Sequence, residues 1–318
     1  MAPGIVLLLL GLGLFLFGLQ VMTASIQDAV GTRVREVLRS LADRPLVAAG
    51  TGLVVTAVIQ SSSATTVMVV GLVEAGLLDL RAAVAVILGA NVGTTATGQL
   101  VAFSFTEYAL PLVVSGAGLA VVFRGRPAGR WGKAVLGLGF VFLGLGYMSG
   151  GAAGIYRLPR LTRTLLDFSG STSCALLAGM VVTGLLQSSS ATTGITIVLA
   201  QQGFMDIKEA VAVVIGSNIG TCVTALLAAV GRSPAARQAA FAHLLINVGG
   251  MFLFLPFLGP FVALVQALGP DVGRQVANAH TIFNLVGLGV GLLLLNGLVK
   301  GVLWLVPGGR QGGGRRKN

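Results

Sequence analysis

The sequence predicts an all-α polytopic membrane protein built from two inverted-topology repeats, each with a helix, a re-entrant hairpin and a broken helix. Three observations carry this. Hydrophobic residues make up 55% of the 318-residue chain and charged residues 10%, against about 25% charged in a soluble domain; the mean hydropathy is +0.92. The run Gln60-Ser61-Ser62-Ser63-Ala64-Thr65-Thr66 recurs letter for letter as Gln187-Ser188-Ser189-Ser190-Ala191-Thr192-Thr193, each copy inside a long apolar segment. Finally, the apolar stretches on either side of each run are too short to cross a bilayer, which gives the first unit an odd number of crossings.

Taken in order, the first helix is expected from about Pro3 to Gln27. It is a membrane helix rather than a signal peptide, because no basic residue precedes it and no small-x-small site ends it. Arg33, Arg35, Arg39 and Arg44 follow in a polar, amphipathic stretch. The block Leu46 to Leu78 contains the first polar run, with about 14 residues before it and about 12 after it. At about 1.5 Å per residue neither half spans a core of ~30 Å, so a re-entrant hairpin is expected over 46–78. Leu80 to Phe105 is a further span, with Gly89-Ala90-Asn91-Val92-Gly93-Thr94-Thr95 inside it. Two glycines flanking an asparagine predict a break there. Glu107 to Phe123 is the next span and closes the first unit, residues 1–123. A basic linker follows over 124–133, rich in turn residues.

The pattern then restarts. Gly11, Gly13, Gly18 and Met22 recur 126 positions later as Gly137, Gly139, Gly144 and Met148. Gly52, Thr56 and Asn91 recur 127 positions later as Gly179, Thr183 and Asn218. A shared order at near-constant spacing marks a duplicated unit. The second unit covers 134–258, with its hairpin over 173–205 and a span from about Arg237 to Leu258. A C-terminal helical segment occupies 259–306: a piece too short to cross, Pro260 to Leu268, then a final helix from about Val276 to Val306. The tail 307–318 is Gly-rich and basic and reads as disordered. With re-entrant hairpins the first unit crosses three times, and four crossings lie between the linker and the tail. The units are then inverted, and the linker and tail share one side, the cytoplasm by the positive-inside rule. Arg157, Arg160 and Arg163 run against that assignment.

The net charge of +11 lies between and beyond the apolar runs, where topology signals sit, so nucleic acid is not a partner. The two cysteines, Cys174 and Cys222, are too few and scattered for a metal site or disulfide framework and read as packed or idle thiols. No Asp or Glu falls at mid-membrane depth, which argues against a proton relay. With no charged catalytic cluster, nucleotide loop or cofactor motif, an enzyme is not expected.

What remains is the duplicated polar run. Polar groups removed from water need partners, and hydroxyls of isolated Ser and Thr in membrane helices usually find them as interhelical glue. A seven-residue polar run present twice points instead to a site. The candidate binding residues are Gln60, Ser61, Ser62, Ser63, Thr66, Asn91 and Thr94, with Gln187, Ser188, Ser189, Ser190, Thr193, Asn218 and Thr221 in the second copy. Half-helix N-termini and hydroxyl donors suit an oxyanion; freed carbonyls and side-chain oxygens suit a small hard cation such as sodium. Two further motifs, His243-x-x-x-Asn247 and His280-x-x-x-Asn284, each place both side chains on one helix face. Polar contacts between helices are expected of them rather than metal binding.

The duplicated Gln-Ser-Ser-Ser runs, each followed by a Gly-x-Asn-x-Gly-Thr element, resemble the type II sodium-dependent phosphate cotransporter family in a short bacterial form. The late His-x-x-x-Asn segments also resemble bacterial members. The resemblance covers most of residues 1 to 306. It implies a multi-pass inner-membrane symporter that couples sodium entry to inorganic phosphate uptake by alternating access. It also implies that the site residues above contact phosphate or sodium, which ion each holds being open. No other cofactor is expected. Many bacterial relatives carry a soluble domain resembling the phosphate-signalling protein PhoU; here that regulation is expected on another chain or not at all. Glycines on Leu-rich helices permit a homodimer. Two other readings fit the residues: a sodium-coupled carrier of another oxyanion or a carboxylate, and an uncoupled anion channel or sensor.

Overall fold

The computed structural model describes residues 3–39, 44–103, 106–155 and 170–308, with the backbone alone at 31–36, 38, 39 and 155. The side chains of Arg33, Arg35 and Arg39, the residues Arg157, Arg160 and Arg163, and most of the basic tail lie outside the described residues. What is described is helical, with no strand. The helices of the first unit are α1 (Pro3–Arg39), α2 (Pro45–Ile59), α3 (Ser62–Glu74), α4 (Leu80–Ala102) and α5 (Ala109–Val122). Those of the second are α6 (Pro127–Ile155), α7 (Thr172–Leu186), α8 (Ser189–Gln201), α9 (Ile207–Gly220), α10 (Cys222–Ala228) and α11 (Pro234–Phe254). Then come α12 (Leu258–Leu268), α13 (Val272–Leu293) and α14 (Leu295–Leu305). Among the described residues six helical stretches are long and apolar enough to cross a membrane. The expected crossing over Glu107–Phe123 is shorter than these, a 17-residue helical stretch from Thr106 to Val122.

Helix α1 does not stop near Gln27 but continues to Arg39. The segment after Gln27 holds no proline, and its Ala29, three arginines, Glu36 and Leu38 are good helix formers. Polarity there ends the apolar stretch without ending the helix. Likewise α6 begins at Pro127, inside the expected linker, because proline suits a first helical turn; the connection to α5 is only the turn around Arg124 to Arg126. The expected final helix is two, α13 and α14, separated at Leu294.

The largest correction concerns α4, expected to be broken around Asn91. It runs unbroken from Leu80 to Ala102. Its glycines serve packing instead. A Cβ built on Gly89 would lie 1.8 Å from the Ala49 carbonyl oxygen, and one on Gly93 would lie 2.4 Å from that of Leu53. Gly52 of α2 meets the Val86 carbonyl in the same way, at 2.1 Å. Only backbone without side chains allows α2 and α4 to pack this closely. The second copy repeats the contact residue for residue: Gly179 against Val213, Gly216 against Leu176 and Gly220 against Met180. Here the helix is interrupted, at Thr221 between α9 and α10.

The two leading helices, α1 and α6, pack antiparallel through glycines. Gly4 faces Gly151, Gly11 faces Gly144, and Gly18 faces Gly137. The contact is reciprocal: Gly11 meets the counterpart of Gly18, and Gly18 meets the counterpart of Gly11. Burial orders the layers. The apolar window of α4 is 83% buried and that of α9–α10 is 78% buried, against 28% for α1. Helices α4 and α9 therefore form the centre. Around them α8 packs on α4 of the other unit, and α3 packs on α10 of the other unit. Helix α11 covers α3 and α13 covers α8. The units interlock rather than lying side by side. A surface ion pair between Glu74, at the end of α3, and Arg232, 2.6 Å apart, also crosses between them.

Candidate functional site

Each polar run folds into the tip of a helical hairpin. Gln60 ends α2 in the left-handed region at φ 56°, and Gln187 ends α7 there at φ 52°. Among the described residues they are the two non-glycine residues with positive φ. A side chain in this region costs about 1–2 kcal/mol, so a glutamine in place of the usual glycine marks a position where the side chain is wanted. The next residue turns the chain back. Ser61 and Ser188 cap α3 and α8, their hydroxyls accepting from the Ala64 and Ala191 amides at 3.2 Å each. The amides of Ser62 and Ser63, and of Ser189 and Ser190, stay in the first turn without an intrahelical acceptor. Ser62, Ser189 and Ser190 are buried.

A threonine pair locks each hairpin behind its tip. The Thr56 hydroxyl donates to Thr65 at 2.8 Å, and the Thr183 hydroxyl to Thr192 at 2.7 Å. Thr65 and Thr192 also reach the carbonyls of Ser61 and Ser188. The adjacent threonines behave differently. Thr66 and Thr193 are fully buried, and their hydroxyls have no hydrogen-bond partner. An unmet buried hydroxyl costs about 1–3 kcal/mol, and here one occurs at both equivalent positions.

The other expected residues fall into two roles. Thr94 and Thr221 turn their hydroxyls onto the carbonyls of Ala90 and Asn218 in their own helix line, at 3.2 and 2.6 Å. Asn91 and Asn218 enter a buried chain that joins the units. Asn91 Nδ2 donates to Asn247 Oδ1 at 2.9 Å. Asn247 Nδ2 donates to Cys222 Sγ at 3.2 Å, and the Cys222 thiol lies 3.6 Å from the Asn218 carbonyl oxygen. Asn218 Oδ1 sits 3.4 Å from His280 Nε2. The expectation of interhelical polar contacts thus holds for Asn247 and His280. The Asn247 and Asn284 amides also cap back onto the carbonyls of His243 and His280. Cys222 is not merely packed, since it accepts within this chain, whereas Cys174 is exposed.

Partnerless buried atoms gather here. Asn218 Nδ2 and His280 Nδ1 have no partner. Thr193 and His280 Nδ1 both flank Gly98: a Cβ there would lie 3.5 Å from Thr193 Cγ2 and 3.6 Å from His280 Nδ1. Thr193 and His280 therefore meet at α4, and Asn218 lies against His280, all three with unmet hydrogen-bonding capacity. Both ring nitrogens of His243 are also unmet. Among the described residues no group of three His, Cys, Asp or Glu is placed to hold a metal ion.

Sequence reasoning missed Thr97, whose hydroxyl donates to Gln60 Oε1 at 2.5 Å. Its counterpart 127 positions on, Thr224, has a buried hydroxyl with no partner, and Gln187 is exposed. The repeat offset was the available signal for this pair. The two tips are thus alike in backbone but not in side-chain bonding.

Comparison with known proteins agrees with the duplication. The Na+/Pi-cotransporter family model matches the chain twice, over residues 14–150 and 156–294. The uncharacterized protein YqeW of Bacillus subtilis is 35% identical over 294 residues, covering 92% of this chain and 95% of that protein. YjbB of Salmonella typhimurium, provisionally named for inorganic phosphate export, is 30% identical over 283 residues, 88% of this chain and 51% of that protein. The chain thus spans about half the length of that relative. Sodium-dependent phosphate transport protein 2A of Mus musculus is 34% identical over 98 residues, 30% of this chain and 15% of that protein. No solved structure matches. Each match of the family contains one complete hairpin and one polar tip, and on that footing the chain belongs to the Na+/Pi-cotransporter family of multi-pass membrane transporters, not to an enzyme family.

Proposed function

We propose that the protein is a secondary symporter in which sodium entry drives inorganic phosphate uptake. The observation that carries this is the symmetric pair of partnerless threonine hydroxyls, Thr66 and Thr193, each one turn behind a serine-rich helix N-terminus. Free amides and hydroxyls at Ser62, Ser63, Ser189 and Ser190 supply donors, and the positive helix ends favour an anion. Carbonyls and side-chain oxygens at Gln60, Gln187, Thr66 and Thr193, with Asn91 and Asn218 behind them, supply the hard donors that sodium takes. Thr94 and Thr221 steady the helix line beside them. The antiparallel, reciprocal packing of α1 on α6 supports two inverted repeats with re-entrant hairpins. Alternating access would then move the hairpins with α4 and α9 against the outer helices.

A second reading reverses the direction, favoured by relatives named for phosphate export. The test is radiolabelled phosphate flux in proteoliposomes under a sodium, potassium or proton gradient, applied inward and then outward. Accumulation driven by inward sodium alone supports symport. Flux indifferent to sodium overturns the coupling, and flux that appears only as sodium-independent efflux installs the export reading. Ser62→Ala and Ser189→Ala are each expected to abolish sodium-driven flux with normal expression; full flux in both would remove the tips from the mechanism.

A further inference from the structure

A second polar feature is lined by none of the hairpin-tip residues and lies where α1, at Ser25 and Asp28, meets the turn between α5 and α6. A cleft of about 160 Å³ opens there, well below the roughly 300–1,000 Å³ of pockets for drug-sized ligands. It has room for a small group. Four cations line it, Arg124, Arg126, Arg130 and Lys133, with a single carboxylate, Asp28. Arg130 donates to the Asp28 backbone carbonyl at 3.1 Å, which fixes its guanidinium at the rim. The side chains of Arg124, Arg126 and Lys133 make no hydrogen bond or ion pair with any described residue. At the floor sits Ser25, 7% exposed, whose hydroxyl likewise has no partner.

Two backbone features hold the turn in this shape. Gly125 adopts φ +80°. Gly129 lets the first turn of α6 approach the end of α5 so closely that a Cβ would lie 2.4 Å from the Phe123 carbonyl oxygen. Next to the cations the surface turns apolar: Val121 and Val122 are 74% and 75% exposed, and Trp131 is half exposed. Cations, bare valines and a half-exposed tryptophan within one short stretch are the composition of the boundary between headgroups and acyl chains.

We propose that this cleft holds the phosphate of an anionic phospholipid, with the acyl chains lying along Val121 and Val122. Arg124, Arg126 and Lys133 neutralise the headgroup, Arg130 orients it, and Ser25 donates to a phosphate oxygen. The site is separate from the hairpin tips and does not depend on what they carry.

The test uses the purified full chain in detergent, titrated with short-chain phosphatidylglycerol, with phosphatidylcholine of equal chain length, and with inorganic phosphate. Bound adducts are read by native mass spectrometry and stability by thermal unfolding. The triple variant Arg124→Gln, Arg126→Gln, Lys133→Gln alters exposed side chains only, and Ser25→Ala probes the floor. Phosphatidylglycerol should bind and raise the unfolding temperature where phosphatidylcholine does not, and the triple variant should bind it about 100-fold more weakly. Equal retention of both lipids, or undiminished phosphatidylglycerol binding by the triple variant, overturns the proposal. So does a shift with inorganic phosphate alone that the triple variant abolishes, which would make this a free-phosphate site.

Discussion

Replacing Thr193 by valine removes one hydroxyl and leaves the side-chain shape intact. That hydroxyl is buried with no partner among the described residues, so its loss relieves a penalty of about 1–3 kcal/mol. Thr193→Val should therefore unfold at the same temperature as the parent or higher when sodium and phosphate are absent. Ligands acting on the native state add stability by mass action, about 2.7 kcal/mol at 100 times the dissociation constant. The variant should lose most of that gain, together with flux. Thr192→Val is the contrast: its hydroxyl is bonded to Thr183 at 2.7 Å, so its loss costs about 1 kcal/mol in ion-free buffer. The assay is thermal unfolding of purified protein with and without both ions, alongside flux in proteoliposomes. If Thr193→Val is destabilised as Thr192→Val is, yet keeps the full ion-induced shift, the hydroxyl is structural and does not contact an ion. Thr66→Val should repeat the Thr193 pattern.

Gly89→Ala and Gly216→Ala should each destabilise by about 3 kcal/mol or prevent folding, because a methyl would meet backbone oxygen at 1.8 and 1.9 Å; Gly50→Ala, facing open space in α2, should gain up to about 1 kcal/mol in thermal unfolding. Gln187→Gly should relieve the left-handed backbone and stabilise by about 1 kcal/mol, while phosphate flux falls to background. Asn247→Ala strands Asn91 Nδ2 and should cost about 1–3 kcal/mol by chemical denaturation, with Cys222 losing its amide donor as well.

Much of this was legible because the duplicated features oppose their surroundings. Six polar residues in a run of seven inside apolar segments announce a hairpin tip, and the repeat at 127 positions locates its partner. The same contrast misled at Gly89 and Gly93. Glycine serves equally for a broken helix and for close packing, and only the neighbouring α2 backbone distinguishes the two. The separation at Leu294 has no glycine or proline at the site to signal it. The chain from Asn91 through Asn247 and Cys222 to His280 spans residues up to 156 positions apart in a single bond, and no local pattern encodes such a pairing. The Thr97–Gln60 bond was within reach, had the repeat offset been applied to every hydroxyl rather than to the motif alone.

The glycine seam between α1 and α6 bears on ancestry. A face that presents Gly11 to Gly144 and Gly18 to Gly137 is what a two-fold dimer of one unit would bury, each position meeting its mate's opposite number. In such a dimer one gene writes both sides, and a change at one glycine lands twice. Fusion into a single chain removes that constraint. Each half then mutates alone, and the differing bonds of Gln60 and Gln187 are the kind of divergence that becomes open to selection once the halves are written separately.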